Sequence, residues 1–244
     1  MRTLIAIALT ATLALSSAAQ DGASLLSFVL DEGIPSGTAI NPVGWWRLES
    51  SSVDSSGNDN DGADTNVNYT GGKFDGAAEM SGDGYIALPT DKGLETIGNV
   101  LTLTAWVYVT DNSRHTIFSQ GGGAKTFHLR INNYVVNAHN SVVVTAAGGS
   151  VPQNTWVHVA YTRSGGGDGT HTIYINGQSA SLSTDASGDY NTNANDNFIG
   201  NREVSEFLNG RVEDVRIYNS VLTQSNIERI YEYGPTANAI EELQ

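Results

Sequence analysis

The side chains best suited to chemistry crowd into one stretch, Asp54-Ser55-Ser56-Gly57-Asn58-Asp59-Asn60-Asp61-Gly62. Its carboxylates, amide oxygens and exposed carbonyls are the donors that a hard cation such as Ca²⁺ takes. The same residues also build an ordinary Asx-rich turn, because Asp and Asn side chains bond their own backbone. An EF-hand is excluded: the glycine is misplaced, no glutamate closes the loop and no helix flanks it. Elsewhere the acids are scattered. Glycoside hydrolysis needs two carboxylates across the scissile bond, and the only adjacent pair in a long strand, Glu213-Asp214, should point to opposite faces of it. His115, His128, His139, His158 and His171 have no metal-ligand spacing. His158 reads as a packed strand residue, and His128 and His139 as residues at a loop rim. No Gly-x-Ser-x-Gly elbow occurs, and with no cysteine there is neither thiol chemistry nor a disulfide. The residues point to a protein that binds rather than catalyses.

Bulk properties narrow the partners. The net charge of −14 over 244 residues, with no run of Lys or Arg, argues against nucleic acid and anionic lipid. Met1-Arg2, the apolar run Leu4 to Leu15 and the small residues Ser16-Ser17-Ala18-Ala19 have the order of a secretory signal peptide over residues 1–19. No later run is long and apolar enough for a transmembrane helix, so the chain is expected to be secreted, extracellular, periplasmic or held at a cell surface. Export also makes Asn68-Tyr69-Thr70 a glycosylation acceptor where the source performs that modification.

The elements that must position any site are strands. In Val151 to Gly177, Val157, Val159 and Tyr161 face one way while Trp156, His158 and Ala160 face the other, and Ile173 and Ile175 continue the alternation. Ser164 to Gly169 predicts a hairpin loop and Asn176-Gly177 a type I′ turn; few charges predict a place at the centre of a sheet. Further strands are predicted at Val43–Leu48, Gly71–Met80, Gly84–Leu88, Leu101–Val109, Thr116–Ser119, Thr126–Ile131, Asn197–Gly200 and Gly210–Tyr218. Another hairpin is predicted to turn at His139-Asn140. Ser225 and Glu228 have capping-box spacing for one helix over Ser225 to Glu232, which Gly234-Pro235 stops. Residues 20–40 read as a linker or edge strand, residues 41–234 as one domain and residues 235–244 as a tail.

Several ordered pieces together resemble the LamG-like jelly-roll modules of the concanavalin A-like lectin/glucanase superfamily. They are Trp46-Arg47-Leu48 before Asp54-Ser55-Ser56-Gly57, then Gly72-Lys73-Phe74-Asp75-Gly76-Ala77-Ala78, Leu103 to Val107, Trp156 to Ala160 with Ile173 to Gly177, Phe198-Ile199-Gly200, and Gly210 to Tyr218. The resemblance covers Asn41 to Gly234 and implies an all-β fold, a two-sheet antiparallel jelly-roll sandwich with one short C-terminal helix. It also implies a structural Ca²⁺ between the first loop and the closing strand, with Asp54 and Asp214 as ligands and Asn60 as a looser one. Asp59 departs from the family, standing where many members have glycine. The Glu-x-Asp-x-x-Glu or Glu-x-Asp-x-Glu segment of the superfamily's glucanases is absent, so a glycoside hydrolase is not expected. Two kinds of function remain. One is a module for a glycan or polysaccharide, with Trp45, Tyr134 and Tyr190 as exposed aromatic platforms; the other is a structural or adhesive protein that contacts other surface proteins.

Overall fold

A computed structural model describes residues 39–94, 97–121, 127–140, 142–149, 151–166, 169–184, 196–202, 206–236 and 240–241. The segment expected to be a signal peptide lies outside the described residues. In chain order the strands are β1 Ala39–Ile40, β2 Gly44–Trp46, β3 Ala63–Gly71, β4 Gly76–Leu88, β5 Val100–Val109 and β6 Arg114–Gln120. Then come β7 Phe127–Asn132, β8 Val135–Asn140, β9 Val142–Ala146, β10 Val157–Ser164, β11 His171–Ile175 and β12 Gln178–Ser179. The chain closes with β13 Leu182–Thr184, β14 Asn197–Ile199, β15 Gly210–Tyr218, the helix α1 Gln224–Tyr233 and β16 Ile240–Glu241.

All pairings are antiparallel, along the path β12-β11-β10-β5-β15-β4-β14-β6-β7-β8-β9-β13, with β2 added to β15 and β3 to β4. One strand belongs to both layers. The first half of β4 pairs with β15 through Ala78, Glu79 and Met80, and its second half with β14 through Ile86, Ala87 and Leu88. Between the halves Ser81-Gly82-Asp83 is exposed and Gly82 has φ 68°, the left-handed region that glycine enters without cost. The sequence predicts two strands hinged there; the backbone keeps them as one bent strand, and the bend folds the path into a sandwich. The core lies between the layers, where Leu101, Leu103, Ala105, Val107 and Val109 of β5 meet Val157, Val159, Phe118, Leu129, Ile131, Val136 and Val144. Period-two alternation supplies these inward faces, as expected for half-buried strands.

Three expectations need correction. Strand β3 was not predicted, because Val67 and Tyr69 are its only large apolar residues; they pack on the core, and β4 gives the strand its pairing. His139 and Asn140 lie within β8 and not in a turn. The organising hairpin is only half central: β10 sits between β5 and β11, but beyond β11 there is only the two-residue β12. The Asn176-Gly177 turn before β12 has the expected positive φ at both residues, 50° and 80°.

The helix forms a third layer on the outer face of β5, β10 and β15. Its N-cap is Thr223, whose hydroxyl accepts the Asn226 N–H at 3.3 Å, two residues before the predicted Ser225. Ile227 and Ile230 pack on Ala160, Tyr174, Tyr218 and Leu222. Gly234, at φ 49°, ends the helix by donating its N–H to the Ile230 carbonyl. Farther along the same face Tyr231 stacks on Trp106 with ring centroids 5.4 Å apart, and His158 lies 5.5 Å from Trp106. Past the helix, β16 pairs with β1, so the two ends of the described chain meet.

This packing makes His158 an acid-sensitive element. Burial, and then the charge of Arg216, lower its pKa to about 3, whereas an unfolded histidine titrates near 6.5. Below pH ~6.5 the unfolded chain binds the extra proton, so stability falls as pH falls through this window. Glu213 acts oppositely, because burial raises its pKa although the backbone N–H groups of Lys73, Phe74 and Asp75 pull it down. Comparison with His158→Leu separates the two. By urea unfolding, the step from pH 6.5 to 5 should cost the wild type about 2 kcal/mol more than it costs His158→Leu.

Candidate functional site

The loop singled out for its oxygens wraps around Asp54. Its Oδ1 accepts the N–H groups of Trp45 at 2.9 Å and Ser56 at 2.8 Å. Its Oδ2 accepts the Ser56 hydroxyl at 2.7 Å and the Asn60 N–H at 2.9 Å. A carboxylate offers about four lone-pair directions, and protein donors take all four. Asn60 is fully buried: its Nδ2 donates to the carbonyls of Val43 and Lys92, and its own carbonyl accepts the indole N–H of Trp46. Asp59 has φ 57°, which explains a preference for glycine there and shows that aspartate holds the same turn.

Asp214 sits at a register shift of β15, between Glu213 and Arg216, with φ 52°. The extra residue breaks the alternation expected of Glu213-Asp214. Asp214 turns its Oδ1 to the indole N–H of Trp45 at 2.7 Å and to Arg216 Nε at 2.8 Å, and its Oδ2 to Arg216 Nη2 at 3.0 Å. Glu213 accepts the backbone N–H groups of Lys73, Phe74 and Asp75. Both acids are fully buried and occupied.

Trp45 therefore joins the two predicted ligands, giving its backbone N–H to Asp54 and its side chain to Asp214. The guanidinium of Arg216 lies 4.4 Å over its ring, and Trp45 is only 5% exposed, so it offers no platform to a ligand. Nor do these residues fit a calcium clip. A cation would have to displace N–H donors from Asp54 and a guanidinium from Asp214. Of the side-chain oxygens of Asp54, Asn60 and Asp214, only Asn60 Oδ1 lacks a partner among the described residues, against the six to eight oxygens that Ca²⁺ takes. Among the described residues no group of three His, Cys, Asp or Glu side chains could hold a metal ion.

Of the other predicted platforms, Tyr134 is half-buried in a turn at φ 64°, its hydroxyl bonded to Gln153 Oε1 at 3.1 Å. Tyr190 lies outside the described residues. His128 and His139 leave the loop rim and are backbone partners across β7 and β8.

A different row of side chains crosses the outer face of the helix-bearing layer. Asn68 pairs with Glu79, Glu79 with Arg211 and Arg211 with Tyr108, strand to strand. Trp156, just before β10, completes it: its ring centroid is 5.6 Å from that of Tyr108, tilted 53°. Arg211 Cζ lies 5.4 Å over the Tyr108 ring, and its Nε donates to Glu79 Oε1 at 2.9 Å. Trp156, Tyr108, Arg211 and Glu79 are half-buried and Asn68 is exposed. Sequence reading missed this row because its members sit on five separate segments; the outward positions of Tyr108 and Trp156 were the available signal. Two aromatic faces beside a guanidinium, a carboxylate and an amide can stack on a sugar ring and bond its hydroxyls.

The family model for the Concanavalin A-like lectin/glucanases superfamily matches residues 80–228. The chain belongs to this family. Among solved structures it is similar to domain 4 of an extracellular GH43 arabinanase from Geobacillus stearothermophilus, solved in complex with arabinotriose. That likeness has a TM-score of 0.65 and 22% identity, covering 79% of this chain and 99% of that one. It is also similar to the binding domain of Paraclostridial Mosquitocidal Protein 1 (TM-score 0.58, 18% identity, 78% and 52% covered). The receptor binding domain of botulinum neurotoxin type G gives a TM-score of 0.56 at 15% identity, with 79% and 51% covered. The chain thus spans about half the length of the toxin domains. No curated protein matches it.

Removing the first-loop carboxylate tests its place in the fold. Asp54→Ala leaves buried N–H groups of Trp45 and Asn60 unpaired, at about 3 kcal/mol. Thermal melting should show Tm lowered by about 6–10 °C, with the loss the same in calcium and in EDTA.

Proposed function

We propose that the protein is a non-catalytic glycan-binding module and that the Asn68–Glu79–Arg211–Tyr108–Trp156 row is its contact face. One observation carries this reading: two half-exposed aromatic rings lie in register with three hydrogen-bonding side chains on a rigid sheet. A structural residue in such a position would more often be buried or purely polar. Membership of a lectin-like superfamily and similarity to an arabinanase domain solved with arabinotriose support the choice of a carbohydrate. Glu79 and Arg211 pair with each other, and the buried acids Glu213 and Asp214 are occupied, which favours binding without bond cleavage. Export agrees with the N-terminal residue order, and among the described residues no helix is long and apolar enough to cross a membrane.

We also infer that the first loop is held to the closing strand through Trp45 and its neighbour Trp46, without calcium. A fall of several degrees in the wild-type Tm on adding EDTA in metal-free buffer would restore the calcium clip that the family resemblance implies.

Screening against immobilised polysaccharides should yield at least one binder. Trp156→Ala and Tyr108→Ala should each weaken it about tenfold, or roughly 1.4 kcal/mol, with Tm little altered. Unchanged affinity in both variants would remove the row from the site. Incubation with the bound polysaccharide should release no reducing ends; reproducible release would make the protein a hydrolase.

A further inference from the structure

Twelve Lys and Arg side chains serve a chain of net charge −14, yet three of them converge on one carboxylate. Glu206 Oε1 lies 2.7 Å from Arg114 Nη1 and 3.4 Å from Arg202 Nη1, and its Oε2 lies 3.5 Å from Arg130 Nη1. Partial burial pushes the Glu206 pKa up, but the hydrogen bond and charge of Arg114 and the charges of Arg130 and Arg202 bring it below its ordinary value. Asp111 stands nearby, bonded to Asn209 Nδ2 at 3.2 Å and beside His115 Nε2 at 3.2 Å. Among the described residues, three guanidiniums thus stand against the two carboxylates of Glu206 and Asp111.

Beside this cluster is an open groove of about 330 Å³ lined by Gly82, Ser113, Arg114, Glu206, Phe207 and Asn209. It opens at the strand ends that carry the aromatic row, Asn209 standing two residues before Arg211 and Asp111 three after Tyr108.

A second observation points to a missing partner. Arg130 Nε, Thr116 Oγ1 and both side-chain polar atoms of Asn201 are buried, with no hydrogen-bond partner among the described residues. Thr116 and Arg130 are cross-strand partners on β6 and β7. Asn201 is held beside β6, its carbonyl accepting the Ser119 hydroxyl at 2.7 Å and the preceding Gly200 donating its N–H to Ile117. Buried polar atoms nearly always have partners, and Arg130 Nε and its cross-strand neighbour Thr116 Oγ1 lack one where Arg130 reaches Glu206.

We propose that this groove is an anion subsite that takes the carboxylate of an acidic sugar, a uronic acid unit of a polysaccharide. Arg114, which lines the groove, is its charged contact, and Arg130 and Arg202 stand behind it around Glu206. A planar guanidinium fork matches a carboxylate, and Glu206 already places one carboxylate among the three arginines. Long-range repulsion by the acidic protein is confined to about 8 Å at 0.15 M salt, which leaves contact pairs largely intact. The inference rests on the glycan-binding reading and names the class of glycan.

The test measures binding of the full chain at 0.15 M NaCl to polygalacturonate and alginate, to their methyl esters, and to neutral arabinan. The expected result is that at least one free acid binds about tenfold more tightly than its ester. Arg114→Gln, which removes the exposed arginine of the groove and leaves Arg130 and Arg202 on Glu206, should shrink that difference severalfold and leave Tm within about 2 °C. Glu206→Gln should strengthen binding of the free acid, an effect that a merely structural glutamate would not have. Equal binding of acid and ester, or binding of arabinan alone, overturns the subsite and leaves the glycan-binding reading standing. Failure of every polysaccharide to bind overturns both.

Discussion

The fold depends on how β2 is fastened to β15, and that fastening passes through Trp45. Its backbone N–H is held by Asp54, its indole N–H by Asp214, and its ring by the cation of Arg216. Buried charges are costly unless paired and bonded. Here the Asp214–Arg216 pair meets that condition twice over, with a bidentate contact and a further bond from Arg216 to the Gly234 carbonyl at the end of the helix. The same guanidinium thus links β2, β15 and α1. In a domain without disulfides this polar knot does the work of a covalent staple, and the three-layer stack on the outer face is built around it.

Much of the architecture was legible from alternation alone. Inward Val157, Val159 and Tyr161 and outward His158 and Ala160 lie where period two puts them, because a half-buried strand has only two faces to choose from. Local rules failed where the backbone left ideal geometry. The bulge at Asp214 could not be foreseen from Glu213-Asp214, since an inserted residue is fixed by what its side chain finds on the neighbouring strand. β3 was invisible because its pairing is imposed from outside by β4.

The site was less legible than the fold, for a physical reason. Trp45 and Tyr134 were read as exposed aromatic platforms, but large apolar rings are more stable buried, and the interior or a turn took them. Tyr108 and Trp156 remain half-exposed only because β5 and β10 bring them side by side beyond the reach of α1. Likewise the three arginines around Glu206 come from two strands and a connecting loop. Such clusters are products of register, and register between distant segments is written in packing and not in any local spacing.

The pairing of β2 with β15 also sets how the domain responds to tension. In β2 and β15 the start of one strand lies against the far end of the other, Gly44 with Ile217 and Trp46 with Val215. Ala39 and Glu241 repeat this arrangement in the terminal pair. A pull on the two chain ends would therefore open the ladders one hydrogen bond at a time, like a zipper, instead of shearing them together. The advancing fork must then reach Trp45 and Arg216, where several bonds have to break at once. That residue pair is the mechanical stop of the molecule: what lies outside it peels at low force, and what lies inside it yields only with the whole sandwich.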